Sequence, residues 1–384
     1  MPDPIDAWRT LLTPENAALR AAAEWTDPGD VAAVARLRRY HSAELVHASL
    51  KLAEARRKLA LKWPGRDLVA DPEGAEMASS ALAAAHKAAR FARVLPGASV
   101  LDLCCGIGAD ALALAEAGLA VTAIDRDPLR AWMAGVNAHC PVRTEDVESI
   151  DLGSGPFHLD PSRRDEQGRR IRYDQLTPGP PFIERACAGR SGAVKLPPGI
   201  NPGEPPPGEL EYIAERGRMT QAVLWTGELA SCALSATALH PNRPPATIAG
   251  QREPDAAIPS ADLEAGWLHT PEVCVERAGL LASLCRRTGL GMPHPHTGLL
   301  CGEHRGDDPL LTPFRLRAVM PWRRDRVAAW LRAHGGGVVE VKTRGKAVDP
   351  DVEQSALRGP GDAPFVVFVL RFDRAVRAIV CERP

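Results

Sequence analysis

The chain has 384 residues, 45% hydrophobic and 25% charged, with 47 Lys+Arg against 48 Asp+Glu for a net charge of -1. That length suggests two or three domains, and that balance excludes a polycation built to coat nucleic acid. No run approaches the roughly 18–20 apolar residues of a membrane span, MPDPIDAWRTLLTPENAA lacks the basic start and apolar stretch of a signal peptide, and the nine scattered Cys suit thiols in a reducing cytoplasm better than a disulfide framework.

In chain order, residues 5–60 read as helical. His41–Lys62 puts Leu45, Val46, Leu52 and Leu59 on one face at spacings near seven. Its opposite face is basic, with nine Lys/Arg against two Glu between Arg36 and Arg66, which suits either solvent or a polyanion. Trp63-Pro64-Gly65 stops this helix, because proline disfavours helical geometry in the residue before it. A second helix is expected from about Ala75 to Val94, ended by Pro96-Gly97.

From residue 98 the period changes. Ser99–Cys104 reads as a strand, Gly106-Ile107-Gly108 as a tight turn, Ala109–Ala117 as a helix and Ala120–Ile124 as a second strand ended by Asp125. Pro128–His139 follows as a helix, then strands at Val142–Thr144, Gly155–Asp160, Gly192–Leu196, Thr220–Thr226 and Ser235–His240. This alternation predicts an α/β fold with a doubly wound parallel sheet. The Pro-rich stretches 197–207 and 241–259 read as loops, Gly266–Arg287 as a helix and 290–313 as a linker. The block 314–384 reads strand, helix (Arg323–His334), strand (Val338–Val341), loop and two strands (Phe365–Phe372, Ala375–Cys381), a small α+β domain. The expected division is therefore a helical region 1–95, a Rossmann-like domain 96–310 and the α+β domain 311–384. Their charges sum to +2, -9 and +6. Only seven of the basic residues are Lys, so an Arg cluster counts for less here than in an even composition.

The most informative segment is VLDLCCGIGADALALAEAGLAVTAID, 100–125. A glycine turn at the mouth of a helix lets a ligand approach the backbone closely. Asp125, 17 residues beyond Gly108, is placed to accept both ribose hydroxyls of an adenosine. The third Gly of a dinucleotide fingerprint is replaced by Asp110-Ala111, and a pyrophosphate would be repelled by Asp102 and Asp110. A sulfonium carrying an amino-acid head would not, so S-adenosylmethionine fits better than a dinucleotide or an empty structural turn. The expected cofactor residues are Asp102, Cys104, Gly106, Gly108, Asp110, Asp125 and Asp146. Asp146 would meet the adenine amino group or, alternatively, stabilise a helix start. Asn137 suits packing or capping as well as ligand contact.

Chemistry in such a sheet gathers beyond the carboxyl ends of the strands. There the fourth strand ends in Asp160-Pro161-Ser162-Arg163-Arg164. A carboxylate that accepts an N–H bond orients an exocyclic amine and stabilises its developing charge. Asp160 is the expected acceptor, with the Pro161 carbonyl for the second N–H and Arg163 and Arg164 for an anionic group on the substrate. The alternative is a plain turn with solvated arginines. Five Arg in 163–172 favour the anionic substrate. Cys104 and Cys105 read as small packing residues, not as the thiol that carbon-5 pyrimidine methylation needs. His294, His296, Cys301 and His304 lie in a Pro/Gly-rich stretch without metal-ligand spacing, so no metal is expected.

The Ala78-Ser79-Ser80 to Lys87 segment, DLCCGIGAD, DPSRR (160–164), LHTPEVCVERAGL (268–280) and VVEVKTRGKAVDPD (338–351) together resemble class I adenosylmethionine-dependent methyltransferases with a C-terminal THUMP-like domain. The resemblance spans most of the chain. The methyltransferase part is also similar to RNA cap guanine-N2 enzymes, although Ser162 and Arg163 stand where those have Pro and an aromatic. The resemblance implies RNA as substrate, with Lys342, Arg344, Lys346 and the basic face of Arg36–Arg66 contributing phosphate contacts. A protein or anionic small-molecule methyltransferase and a non-catalytic RNA-binding protein are the alternatives. Oligomeric state is not legible.

Overall fold

A computed structural model of the chain describes residues 4–162, 172–263, 266–295 and 297–384. They form two compact units: residues up to Glu215 with 220–231 and 239–243, and residues 216–219, 232–238 and 244–384.

The first unit begins with helices α1 (Pro4–Leu12), α2 (Ala17–Glu24), α3 (Val31–Leu37), α4 (Ala43–Leu59), α5 (Pro72–Met77) and α6 (Ala81–Val94). The helical character expected over 5–60 is met by four separate helices, and side-chain caps mark two of the starts. Asp30 accepts from Ala33 N and Ser42 from Leu45 N, satisfying amides that a helix start leaves unpaired. The single helix expected over 75–94 is likewise divided at Ala78–Ser80, where Ser80 caps α6. On α4, Val46, Leu52 and Leu59 are buried and Leu45 packs beside them, as the spacing predicts.

The loop after α4 grips the break between α5 and α6. Lys62 Nζ donates to the carbonyls of Ala75 (3.0 Å) and Ala78 (2.8 Å), and Trp63 Nε1 donates to Ser79 O (2.8 Å). Carbonyls at and just beyond the end of α5 gain donors this way.

The α/β part follows: β1 (Ser99–Leu103), α7 (Ala109–Glu116), β2 (Ala120–Asp125), α8 (Pro128–Ala138), β3 (Val142–Thr144), β4 (Phe157–Leu159), α9 (Pro180–Cys187), β5 (Gly192–Leu196), β6 (Glu209–Glu215) and β7 (Arg218–Thr226). The strands run β3-β2-β1-β4-β5-β7-β6. The first five are parallel, and β7 is antiparallel to β5. Strand order reverses between β1 and β4, which opens a crevice at their carboxyl ends. Neither α9 nor β6 was expected. In β6 the acids Glu209 and Glu211 are buried, paired with Arg90 (3.0 Å) and His86 (2.9 Å), so they interrupt the apolar pattern that marks a strand.

In the second unit β8 (Leu234–Leu239) and β9 (Ala246–Gly250) pair antiparallel, so the loop expected over 241–259 contains a strand. The helix expected over Gly266–Arg287 is instead β10 (Trp267–Pro271) followed by α10 (Val273–Ala278) and α11 (Leu281–Thr288). Gly279 and Gly289 end these helices in the left-handed conformation. The linker expected over 290–313 holds β11 (Leu300–Gly302) and the start of β12 (Leu311–Pro321). Then come α12 (Arg324–Ala333), β13 (Gly336–Thr343), α13 (Pro350–Leu357), β14 (Ala363–Phe372) and β15 (Ala375–Glu382). The sheet order is β11-β10-β12-β15-β14-β13, with cores around Phe314, Phe368 and Ile379 and around Val327, Leu331 and Val367. The unexpected α13 starts at Asp349, which caps it ahead of Pro350. Among the described residues no helix is long and apolar enough to cross a membrane.

Candidate active site

At the carboxyl ends of β1, β2 and β4 lies a cleft of about 250 Å³. Cys104, Gly106, Asp125, Asp146 and Asp160 line it, and Glu73, Gly74, Met77 and Ala78 from the α5 segment supply one wall. Asp102, Gly108 and Asp110 lie outside its lining. The two glycines of the turn therefore differ in use. Among the described residues Gly106 (φ 55°) has nothing within 4 Å of where a Cβ would stand, whereas at Gly108 (φ 78°) a Cβ would come 2.6 Å from Ala134 Cα on α8. Gly106 leaves room beside the cleft, and Gly108 lets α8 pack against the turn.

Asp125 accepts from Gly106 N at Oδ2 (2.9 Å) and from Asp127 N at Oδ1 (3.0 Å). Each oxygen keeps lone-pair capacity for a hydroxyl donor. Burial pushes this carboxyl above its ordinary range, partly offset by those two amides. Asp146 caps the turn 147–149 through Glu148 N (3.0 Å) while lining the cleft, so both expected uses are compatible. Asn137 is structural: it bonds Val69 N, Val69 O and Ile107 O at 2.8–2.9 Å. Cys104 holds a left-handed conformation (φ 57°), and burial, with Asp125 and Asp160 nearby, pushes its thiol well up. That disfavours a thiolate nucleophile.

Below the turn is a buried polar cluster. His158 Nδ1 lies 2.7 Å from Asp102 Oδ1, and Lys87 Nζ lies 3.0 Å from His158 Nε2 and 2.7 Å from Asp110. Ser79 Oγ donates to Asp110 (2.7 Å). Asp102 is fully buried, and its Oδ2 has no hydrogen-bond partner among the described residues. Burial pushes the Asp102 carboxyl up. At Asp110 burial acts the same way, but Lys87, His158 and Lys195 outweigh it and hold the carboxyl well below its ordinary range.

On the reaction side, Asp160 Oδ2 accepts from Lys195 Nζ at 2.6 Å. The lysine is 3% exposed and the aspartate 22%. Lys195 also donates to Met77 O (3.3 Å). Pro161 is buried, and Ser162 pairs with Thr177 through two backbone hydrogen bonds. Arg163 and Arg164 lie outside the described residues. Sequence reasoning missed Lys87, His158 and Lys195. The available signal was composition: with seven Lys in the chain, one inside the apolar run GAVKL is an unusual placement.

The expected phosphate contacts fare unevenly. Lys342 pairs with Glu340 (2.8 Å) and Arg344 with Glu276 (2.7 Å), while Lys346 is exposed. On the N-terminal helices Arg56 pairs with Glu24 and Asp67, Lys58 with Glu54 and Arg66 with Glu116, whereas Arg36, Arg38, Arg39 and Lys51 are exposed. His294 meets Asp373 (3.2 Å), Cys301 is buried in β11, and His296 lies outside the described residues. No group of three metal-ligating side chains occurs among the described residues.

Among the described residues seven acids line the cleft (Glu73, Asp125, Asp127, Glu145, Asp146, Glu148, Asp160) against two cations, Arg126 and Arg130, and Arg130 is already paired with Asp71 and Glu73. Such a field attracts a cation and repels a pyrophosphate. The open side of Gly106 and the spare lone pairs of Asp125 fit S-adenosylmethionine.

Comparison with known proteins agrees with this geometry. A family model described as THUMP domain-like matches residues 311–383, and a domain of unknown function (DUF8688) matches 3–58. Proteins of Mycobacterium tuberculosis strains CDC 1551 and H37Rv, both described as uncharacterized S-adenosylmethionine-dependent methyltransferases, are 30% identical over 326 residues, covering 81% of this chain and 87% of theirs. A crystal structure of a Porphyromonas gingivalis W83 protein taken to be a methyltransferase superposes with a TM-score of 0.72 at 17% identity, over 95% of this chain and 98% of that one.

Proposed function

The chain belongs to the S-adenosylmethionine-dependent methyltransferase family of those mycobacterial relatives, and from that premise we propose that it methylates a base amino group in RNA. When bound, S-adenosylmethionine supplies a methyl group on a positively charged sulfur. Asp125 would hold the ribose hydroxyls and Asp146 the adenine amino group. The backbone at Cys104 and Gly106 would border the amino-acid end, with Gly108, Asp102 and Asp110 shaping the turn from below.

The observation that carries the N-transfer reading is the Asp160 carboxylate, which lines the cleft with Oδ2 held by Lys195. Its Oδ1 would accept an N–H of the acceptor amine, point the nitrogen lone pair at the cleft and take up the proton that the methylated nitrogen sheds. The Pro161 carbonyl would receive the second N–H. Support for RNA comes from the THUMP domain-like match and from the exposed Lys346, Arg36, Arg38, Arg39 and Lys51; Arg163 and Arg164 would join them. All nine cysteines are free thiols, which supports a cytoplasmic site of action.

The test is transfer of tritiated methyl into total RNA from a strain lacking the gene, followed by nucleoside mass spectrometry. A new N-methylated base supports the reading, and absence of label in RNA overturns it. The ion pairs on Lys342 and Arg344 favour a second reading, a protein or anionic small-molecule acceptor. Filter binding of total RNA across a salt series separates the two, since phosphate contacts make affinity fall steeply with salt.

A further inference from the structure

Lys195 is the fourth residue of β5, a strand whose five residues are all buried, and a buried ammonium is costly unless a counter-charge and hydrogen bonds compensate it. It donates to Asp160 Oδ2 at 2.6 Å and to Met77 O at 3.3 Å. Met77 is itself at the cleft, on the segment that Lys62 and Trp63 clamp. The lysine is 3% exposed and absent from the cleft lining, so an acceptor substrate reaches Asp160 and not Lys195.

We infer that Lys195 is the positioning residue of the reaction site. It pins one oxygen of Asp160, leaves the other for the acceptor amine, and balances the aspartate's charge in the cleft that would hold the cofactor. This rests on the reading of Asp160 given above. Two consequences follow from the geometry. A carboxylate held at one oxygen loses rotational freedom, so the free oxygen is already oriented when the acceptor arrives. A buried pair of opposite charges contributes little net field, whereas removing one member leaves a whole charge in a site of low dielectric.

The second consequence gives a readout independent of turnover. S-adenosylmethionine carries a positive sulfur and S-adenosylhomocysteine a neutral one, so their affinity ratio reports the charge near Asp160. Calorimetry with both ligands on the full chain should show the ratio rising about tenfold in Lys195→Gln, where Asp160 is left alone. It should fall by about as much in Asp160→Asn, where the charge of Lys195 is no longer balanced by Asp160. With total RNA as acceptor, Lys195→Gln should lower kcat by about tenfold or more with KM for RNA little changed, and Lys195→Arg should restore most of kcat. If Lys195→Gln does not fold, Lys195→Met is used in its place. An unchanged ligand ratio with unchanged kcat overturns the inference. So does a kcat loss that Lys195→Arg fails to recover while the ratio stays fixed, because that is the pattern of a purely structural lysine. Wild-type turnover in Asp160→Asn would instead overturn the role of Asp160 and leave the charge measurement to judge Lys195.

Discussion

The ammonium of Lys87 lies 3.0 Å from Nε2 of His158. An ammonium has only protons to give, so Nε2 is the acceptor and the ring proton sits on Nδ1, donated to Asp102. His158 thereby joins Lys87 to Asp102, and Lys87 also pairs with Asp110.

Lys87→Met should therefore cost about 3–5 kcal/mol, because it strands the buried Asp110. The first unit should melt on the order of 10 °C lower by scanning calorimetry. Asp110 titrates well below its ordinary range, so its stabilisation is present above the unfolded carboxylate value, about 4, and is lost as pH falls toward the folded value. The gap between wild type and Lys87→Met should shrink below about pH 4. A gap that is constant with pH would show that the cluster's charges are not what Lys87 supports.

Gly106→Ala and Gly108→Ala should separate binding from folding. A methyl at 108 would strike Ala134, and overpacking of that kind costs about 1–3 kcal/mol besides the left-handed strain. At 106 the methyl meets no atom of the described residues, so the strain of about 1–2 kcal/mol is what remains. Gly106→Ala should weaken cofactor binding more than Gly108→Ala does, and Gly108→Ala should lose more in melting temperature. The reverse order would place the ligand against the other glycine.

Cofactor affinity should weaken with acid sooner than an ordinary aspartate would allow. Burial raises the Asp125 carboxyl, so protonation, which removes a hydroxyl acceptor, begins above the usual range. Its contribution to folding runs the opposite way. A raised acid favours the folded state at low pH, and that contribution is lost as pH rises through the folded value. Calorimetric affinity in Asp125→Asn should be weaker at neutral pH and flatter between pH 4 and 7. A slope equal to wild type would assign the titration to another group.

At Asp160 the choice of replacement matters. Asparagine keeps an oxygen for Lys195, whereas alanine removes the 2.6 Å acceptor of a buried ammonium. Transfer should fall roughly 100-fold or more in both variants. Asp160→Ala should also lose melting temperature that Asp160→Asn keeps. Equal melting curves would mean that the pair contributes nothing to the fold.

The strand–turn–helix–strand unit at 99–125 was legible because each step carries a local signal: apolar runs, glycines at positive φ and a terminal aspartate. The same holds for the placement of Cys104, Gly106, Asp125, Asp146 and Asp160 at the cleft. What escaped was long-range. Asp102 and Asp110 read as ligand-facing acids because nothing local ties them to Lys87 or to His158, 56 residues beyond Asp102. Likewise β6 was hidden by glutamates whose partners are in α6. WLHTP was absorbed into a helix because the helical pattern of VCVERAGL follows without a break, and α13 because Pro350 at its start resembles a loop signal.

Four residues of the cleft wall, Glu73, Gly74, Met77 and Ala78, precede the first strand of the sheet, and Lys62 and Trp63 at the foot of the N-terminal helices clamp that stretch. The helical N-terminus is for that reason not a detachable appendage. A fragment starting at residue 96 would lack a wall of its own pocket, and recombination that swapped the helices for another module would have to replace that wall at the same time.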